Sequence, residues 1–409
     1  MSTPSQRGFT LVEIMVTSAL FSVVLMGASY LLVGVTQSSE RVRRISDTQE
    51  TARLALDAIA GEIRMSGAGA SSGLVGIAPD GSPTRRIPII YSGPDVVVTT
   101  PGGQTITTNS IFIVSSEPGA GVPASDGSGM LGSVVSATLA DVQIECMDQK
   151  GVVVDCSDAS FKANTILPTL SGGTYAPLIV GDYRSAVYLR PNKVDAPNAG
   201  SQGLHFPEQA AKVFAPDPKA PFGFAPGSSL GKARVSHYYL KQVAPDDWEL
   251  MRSHPVLTSK AGALGAACNT ADAPFLDETN DPGGVPGQVL GSGPIESLQI
   301  RFIVDPNASD DPQQFQVWRA ADAGSTQNHL TVCDGIPGPN VPTMLREVRL
   351  QIVARSAMPD HAQDGKYLKR YSMPGWEGVA PGGTTTDAYP RRSFEARVVP
   401  RNLQGIIRL

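Results

Sequence analysis

The string Arg7-Gly8-Phe9-Thr10-Leu11-Val12-Glu13 stands directly ahead of an uncharged run from Ile14 to Ser39. This arrangement constrains the chain more than anything after it. Phe9 to Val35 exceeds the roughly 20 apolar residues that a bilayer crossing needs. A secretory signal has a shorter apolar core followed by a small-residue cleavage site, and neither is found here. Glu13 is therefore a carboxylate near the head of an apolar helix, where an unpartnered charge is expensive. Cleavage after Gly8 would create a new amine on Phe9. The same amine on a neighbouring subunit is the natural partner for Glu13.

No proline occurs between Pro4 and Pro79, so nothing breaks a helix that begins here. Beyond the apolar run, Ile45, Ala52, Leu56, Ile59 and Ile63 recur at helical spacing. Arg44, Asp47, Glu50, Arg53, Asp57 and Glu62 supply a polar remainder, and Gly67 and Gly69 form a natural stop. One helix from Phe9 to about Ser66 would be ~87 Å long at 1.5 Å per residue. Arg7 and the initial amine favour a cytoplasmic N-terminus, whereas Arg41, Arg43 and Arg44 on the far side oppose it. The short leader and the cysteines favour placing the C-terminal bulk outside.

Composition separates the rest from a helix bundle. Gly 42 and Pro 33 imply many turns and long connections. Net charge is -5, and loss of residues 1–8 with their single Arg makes it -6. This acidic balance argues against nucleic acid as a partner. Cys146, Cys156, Cys268 and Cys333 show no zinc-ligand spacing. In a chain that leaves the cytoplasm, an even count reads as two disulfides. Cys146 and Cys156 flank a Gln149-Lys150-Gly151 turn, but the connectivity stays open among three possibilities.

Alternating or β-branched runs predict strands over 87–91, 95–100, 110–115, 133–144, 152–154, 185–189, 235–242, 248–252, 297–304, 346–355 and 394–399. No amphipathic helix of any length follows residue 70. An antiparallel sheet packed on the second half of the long helix is the expected two-layer solution. Residues 190–232 and 260–294 read as long Pro/Gly-rich loops.

Catalytic patterns are weak. Gly227-Ser228-Ser229-Leu230-Gly231 fits GxSxG, but a nucleophile elbow needs a preceding strand and a following helix, and a strand-like run follows Ser229. His205, His237, His254, His329 and His361 contain no i,i+4 pair for a metal. Asp305-Pro306-Asn307-Ala308-Ser309-Asp310-Asp311 has spaced oxygen donors, yet lacks the sixth-position Gly and twelfth-position Glu of a calcium loop. No cofactor and no metal is expected. Trp248, Trp318 and Trp376 read as core or loop anchors.

The Gly8-to-Glu13 string resembles the class III signal of type IV prepilins and type II secretion pseudopilins. By that resemblance, a prepilin peptidase cuts after Gly8, Phe9 is N-methylated, and Glu13 neutralises a neighbour's N-terminus during assembly. Later segments, from Val235-Ser236-His237-Tyr238-Tyr239-Leu240 through Ile295–Asp305 and Val348–Ser356 to Arg397–Leu403, resemble PilW-type minor pilins, relatives of the J-type minor pseudopilins. Pro400 departs from their usual apolar residue before Arg-Asn.

The resemblance implies an α+β, type IV pilin-like fold with three parts: a cleaved leader 1–8, a helix 9–66 spanning a membrane over 9–35, and a β-rich domain 67–409 in the periplasm or outside the cell. It implies a non-enzymatic minor pilin of a priming or tip complex, serving pilus assembly and motility or adhesion. The implied partners are the major pilin, other minor pilins and a large tip adhesin, with the inner membrane as starting point. A pseudopilin of a type II secretion system and a DNA-uptake component are the competing readings, and a Ser229 hydrolase is a third. Two disulfides predict that alkylation of denatured, unreduced protein modifies no cysteine. Reduction should expose all four, whereas four reactive thiols before reduction would exclude both bridges.

Overall fold

In a computed structural model of the chain, the described residues are 10–66 and the strands and short connections falling within 74–116, 130–146, 169–205, 229–257, 276–319 and 345–400. Helix α1 (Leu11–Met65) is a single unbroken element of 55 residues, ~82 Å long. It starts at Thr10, whose side chain accepts from the Glu13 amide. It ends where the Ser66 amide and hydroxyl both donate to the Ile63 carbonyl, at 3.2 and 2.6 Å. The expected stop at Gly67 and Gly69 lies outside the described residues.

The principal strands are β1 (Val96–Thr99), β2 (Thr105–Thr108), β3 (Ile111–Ser116), β4 (Ser229–Ala244), β5 (Asp247–Ser253), β6 (Ile295–Val304), β7 (Leu345–Arg355) and β8 (Arg391–Val398). A four-stranded sheet runs Gln316–Arg319, β6, β7, β8, antiparallel throughout. The second half of α1 lies on β7 and β8. Leu298 opposes Ile352, Ile300 opposes Leu350, and Phe302 opposes Val348, each fully buried. This period-2 face meets the 3.6-period stripe Ala52, Ala55, Leu56, Ile59, Ala60 and Ile63 in one core. Burying each large aliphatic side chain there contributes about 1.5–3 kcal/mol.

β4 organises the remaining strands. It pairs with β3 over Ala233–Tyr238, with β5 from His237 onward, and through its first residues with Met130–Ala137 and Leu178–Gly181. Phe112, Val235, Tyr238 and Leu250 carry this group into the same core. Polar contacts join it to the four-stranded sheet. The Thr108 hydroxyl donates to the Leu298 carbonyl and accepts from its amide, both at 2.8 Å, and Asn109 accepts from the Ile300 amide at 3.1 Å.

The expected strands at 95–100, 110–115, 185–189, 235–242, 248–252, 297–304, 346–355 and 394–399 appear with shifted ends; that at 152–154 lies outside the described residues. Four readings need correction. The run 87–91 is two strands, Arg86–Pro88 and Ile90–Ser92, each with a different partner. The segment 260–294 carries short strands at Leu276–Asp277 and Gln288–Val289. The run 133–144 is two strands, Met130–Ala137 and Asp141–Cys146, paired as a hairpin; no Gly or Pro marked the turn. The segment 190–232 contains strands at Lys193–Val194 and Ser201–His205 and the start of β4, because backbone pairing holds residues whose side chains carry little pattern. One parallel pair, Leu74–Ile77 with Ala186–Leu189, departs from the antiparallel rule.

Tyr91, Phe112, His237 and Tyr239 form a continuous ring stack, with centroids 4.9, 3.9 and 4.6 Å apart. Burial lowers His237 from its usual 6.5 to about 3. The folded chain thus refuses a proton that the unfolded chain accepts, so stability is full above pH ~6.5 and falls by about 1.4 kcal/mol per pH unit below it, down to about pH 3. His254 shifts in the same direction, through burial and then Arg234. A His237→Phe variant keeps the stack and should lose its share of this slope. Urea melts of both proteins at pH 7 and pH 5 measure it, and equal pH dependence would contradict the assignment.

Candidate functional site

The first half of α1 is laid bare by the rest of the chain. Its apolar window has mean hydropathy 2.0 and is 0% buried. Leu11 and Met26 are 76% and 77% exposed, and the large apolar residues through Val35 follow suit. The serine and threonine hydroxyls of this segment are satisfied within the helix. Thr17, Ser18, Ser22, Ser29 and Thr36 hydroxyls each donate to a carbonyl three or four residues back. That leaves the segment compatible with a medium that offers no hydrogen bonds.

At its head, Thr10 and Glu13 form a capping box. The Thr10 amide donates to Glu13 Oε2 at 3.0 Å and its hydroxyl to the same oxygen at 3.1 Å. In return the Glu13 amide donates to Thr10 Oγ1 at 3.3 Å. The carboxylate is therefore held by its own helix end, with both bonds on one oxygen. Motif and the cost of an unpartnered charge assigned Glu13 to a neighbour and overlooked this local partner, although Thr-x-x-Glu is legible in the sequence. Gly8 and Phe9 lie outside the described residues.

At the other end, α1 is clamped to the sheets by charge. Glu62 meets Arg234 of β4 at 3.1 Å and Arg252 of β5 at 3.5 Å. The Arg53 guanidinium lies over the Phe394 ring of β8 at 5.8 Å. A second cluster locks one end of the four-stranded sheet. Arg355 and Arg391 stand directly opposite on β7 and β8, an unfavourable pairing by itself. Glu296 reaches both, at 2.9 and 2.5 Å, and Asp387 takes Arg391 at 2.6 Å. Neither cluster was singled out from sequence. The available signal was a charged residue, such as Glu296 or Arg355, set within an apolar strand.

The other candidates separate. Ser229 opens β4, so no helix follows it and the GxSxG pattern has no nucleophile elbow. His205 pairs with Asp195 at 2.7 Å and Lys193 with Asp195 at 3.0 Å, tying a hairpin. His254 lies 3.1 Å from Arg234. His329 and His361 are outside the described residues, and among those described no three metal-binding side chains converge. Asp305 is buried against Arg346 at 2.9 Å, while Asp311 caps the short helix Pro312–Gln314, so the two ends of the donor string serve separate structural tasks. Trp248 is buried and donates to the Thr99 carbonyl, and Trp376 is buried beneath Arg301. Cys146 closes the strand Asp141–Cys146; Cys156, Cys268 and Cys333 fall outside the described residues.

A family model described as the prokaryotic N-terminal methylation motif matches residues 3–29. Among solved structures, a type IV-like pilin from Thermus thermophilus is similar at 13% identity, covering 43% of this chain and 69% of its own, with a TM-score of 0.22. Overlap that slight carries no argument about function. No curated protein matches the sequence. The methylation motif, at the head of a long apolar-led helix that packs on antiparallel sheets, makes this a type IV pilin-like protein.

Glu62→Gln would leave two partly buried guanidiniums facing a neutral amide. The expected loss is about 2–4 kcal/mol, somewhat below that for a fully buried pair. Urea denaturation with limited proteolysis near residue 66 reads it, and unchanged stability would show that the clamp is incidental.

Proposed function

We propose that the chain is a non-enzymatic minor pilin, inserted in the inner membrane, cut after Gly8, N-methylated at Phe9 and drawn into a fibre through α1. The observation that carries this reading is the division of α1 into a bare apolar half, headed by Glu13, and a half clamped on a large β-rich domain. Such a helix can pass from lipid into a bundle of similar helices without changing its own fold. The Thr10 bonds occupy Glu13 Oε2, so Oε1 can receive the Phe9 amine of the next subunit. An unpaired charge in that bundle would cost several kcal/mol, which selects the correct stagger.

A globular part of this size repeats poorly along a thin fibre, which favours a few copies in a priming or tip complex. Its partners are then the major pilin, other minor pilins and a large tip adhesin, with a prepilin peptidase as processing enzyme. Adhesion or motility follows from that position. Disulfides among Cys146, Cys156, Cys268 and Cys333 suit the oxidising side of the membrane.

Glu13→Ala tests the pairing. Processing should continue, while the amount recovered in sheared filaments should fall at least ~10-fold, in line with loss of several kcal/mol. Thr10→Ala removes the cap, at about 1 kcal/mol, but keeps the acid, and should assemble far better. Normal incorporation of Glu13→Ala would refute the pairing.

A further inference from the structure

Between the bare apolar half of α1 and its packed half lies an exposed neck. Val35 ends the apolar run, and Thr48 is the first residue buried by the sheets. Within the neck stand Arg41, Arg43 and Arg44, against Glu40 as the nearest acid. Glu40 is held by Arg44 at 3.2 Å on a solvated surface. Asp47 and Glu50 follow about one and two turns further on. Successive residues turn by ~100°, so Arg41 and Arg43 face nearly opposite sides and Arg44 falls between them. The three arginines span an arc of ~160°, close to half of the helix circumference, with Val42 also exposed.

We infer that Arg41, Arg43 and Arg44 form a collar that binds the anionic headgroups of phospholipids. This rests on the reading of Leu11–Val35 as membrane-spanning. Because α1 is continuous, the collar sits about 9–14 Å along the axis beyond Val35. Helical side chains lean toward the N-terminus, here toward the bilayer, and arginine stems are long enough to bring guanidiniums back to the phosphate layer. Guanidinium binds phosphate through paired hydrogen bonds, and an arc of three at the end of the apolar run meets the headgroups of several lipids along that side of the helix. The collar would fix the depth of the unassembled subunit and hold its β-rich domain off the surface. Entry into a fibre would then require exchanging lipid phosphates for other partners.

The test uses the full chain in nanodiscs made from equal amounts of phosphatidylcholine and phosphatidylglycerol. Lipids retained on release are counted by native mass spectrometry, with resistance to alkaline carbonate in vesicles as the check on insertion. The wild type should retain phosphatidylglycerol preferentially, and added salt should weaken that preference. The Arg41→Gln, Arg43→Gln, Arg44→Gln triple variant keeps helix propensity. It should insert equally and lose the preference, on the order of fivefold for each arginine removed. An inserted wild type without preference, or an inserted variant that keeps it, overturns the collar. Failure of both proteins to insert overturns the spanning segment itself, and the collar with it.

Discussion

Everything in this molecule depends on how one helix divides its surface. Along α1, the residues from Leu11 to Val35 find no cover among the described residues, whereas one stripe of the second half, from Thr48 to Ile63, is sealed against sheets. Hydrophobic burial would collapse a free apolar segment onto any available apolar surface. The chain avoids this by spending its own core on the second half alone. The rigid continuity of the helix then holds the first half away from the domain. Lipid, or a bundle of like helices, is the environment that completes such a segment.

Charge fixes what apolar packing leaves loose. Glu62 ties the last turn of α1 to β4 and β5, and Glu296 with Asp387 compensates two arginines that would otherwise repel across β7 and β8. Hydrophobic contacts resist sliding weakly, whereas a shared carboxylate has only one register. The domain therefore presents α1 at a set angle and rotation. Any assembly built through the helix inherits that geometry, because displacement of the domain against α1 would break the partly buried pairs of Glu62 with Arg234 and Arg252.

How far the sequence could be read follows from where its patterns were local. The helix seen at Leu11–Met65 was legible because apolar period, absence of proline and the Glu13 position all agreed. Strands such as β6 and β7 were legible because apolar residues alternate with polar ones along them, as Leu298, Ile300, Phe302 and Val304 do in β6. The hairpin at Met130–Cys146 was hidden by a turn without Gly or Pro, and Ser201–His205 by a strand without apolar alternation. Long-range polar joints were out of reach altogether. Nothing in Thr108 or Asn109 announces a bond to a strand nearly two hundred residues away, nor in Glu62 a pairing with Arg234. At the N-terminus the reading of Glu13 as an assembly acid came from motif and cost, while its bond to Thr10 was available from a simple capping pattern.

The central claim is that α1 begins, in the working protein, at a newly made amine on Phe9. Mass spectrometry of the N-terminal peptide from sheared surface filaments and from membranes tests it most directly. The account predicts a peptide starting at N-methylated Phe9, present in the filament fraction. An uncut terminus, or a cut at any other bond, would contradict it.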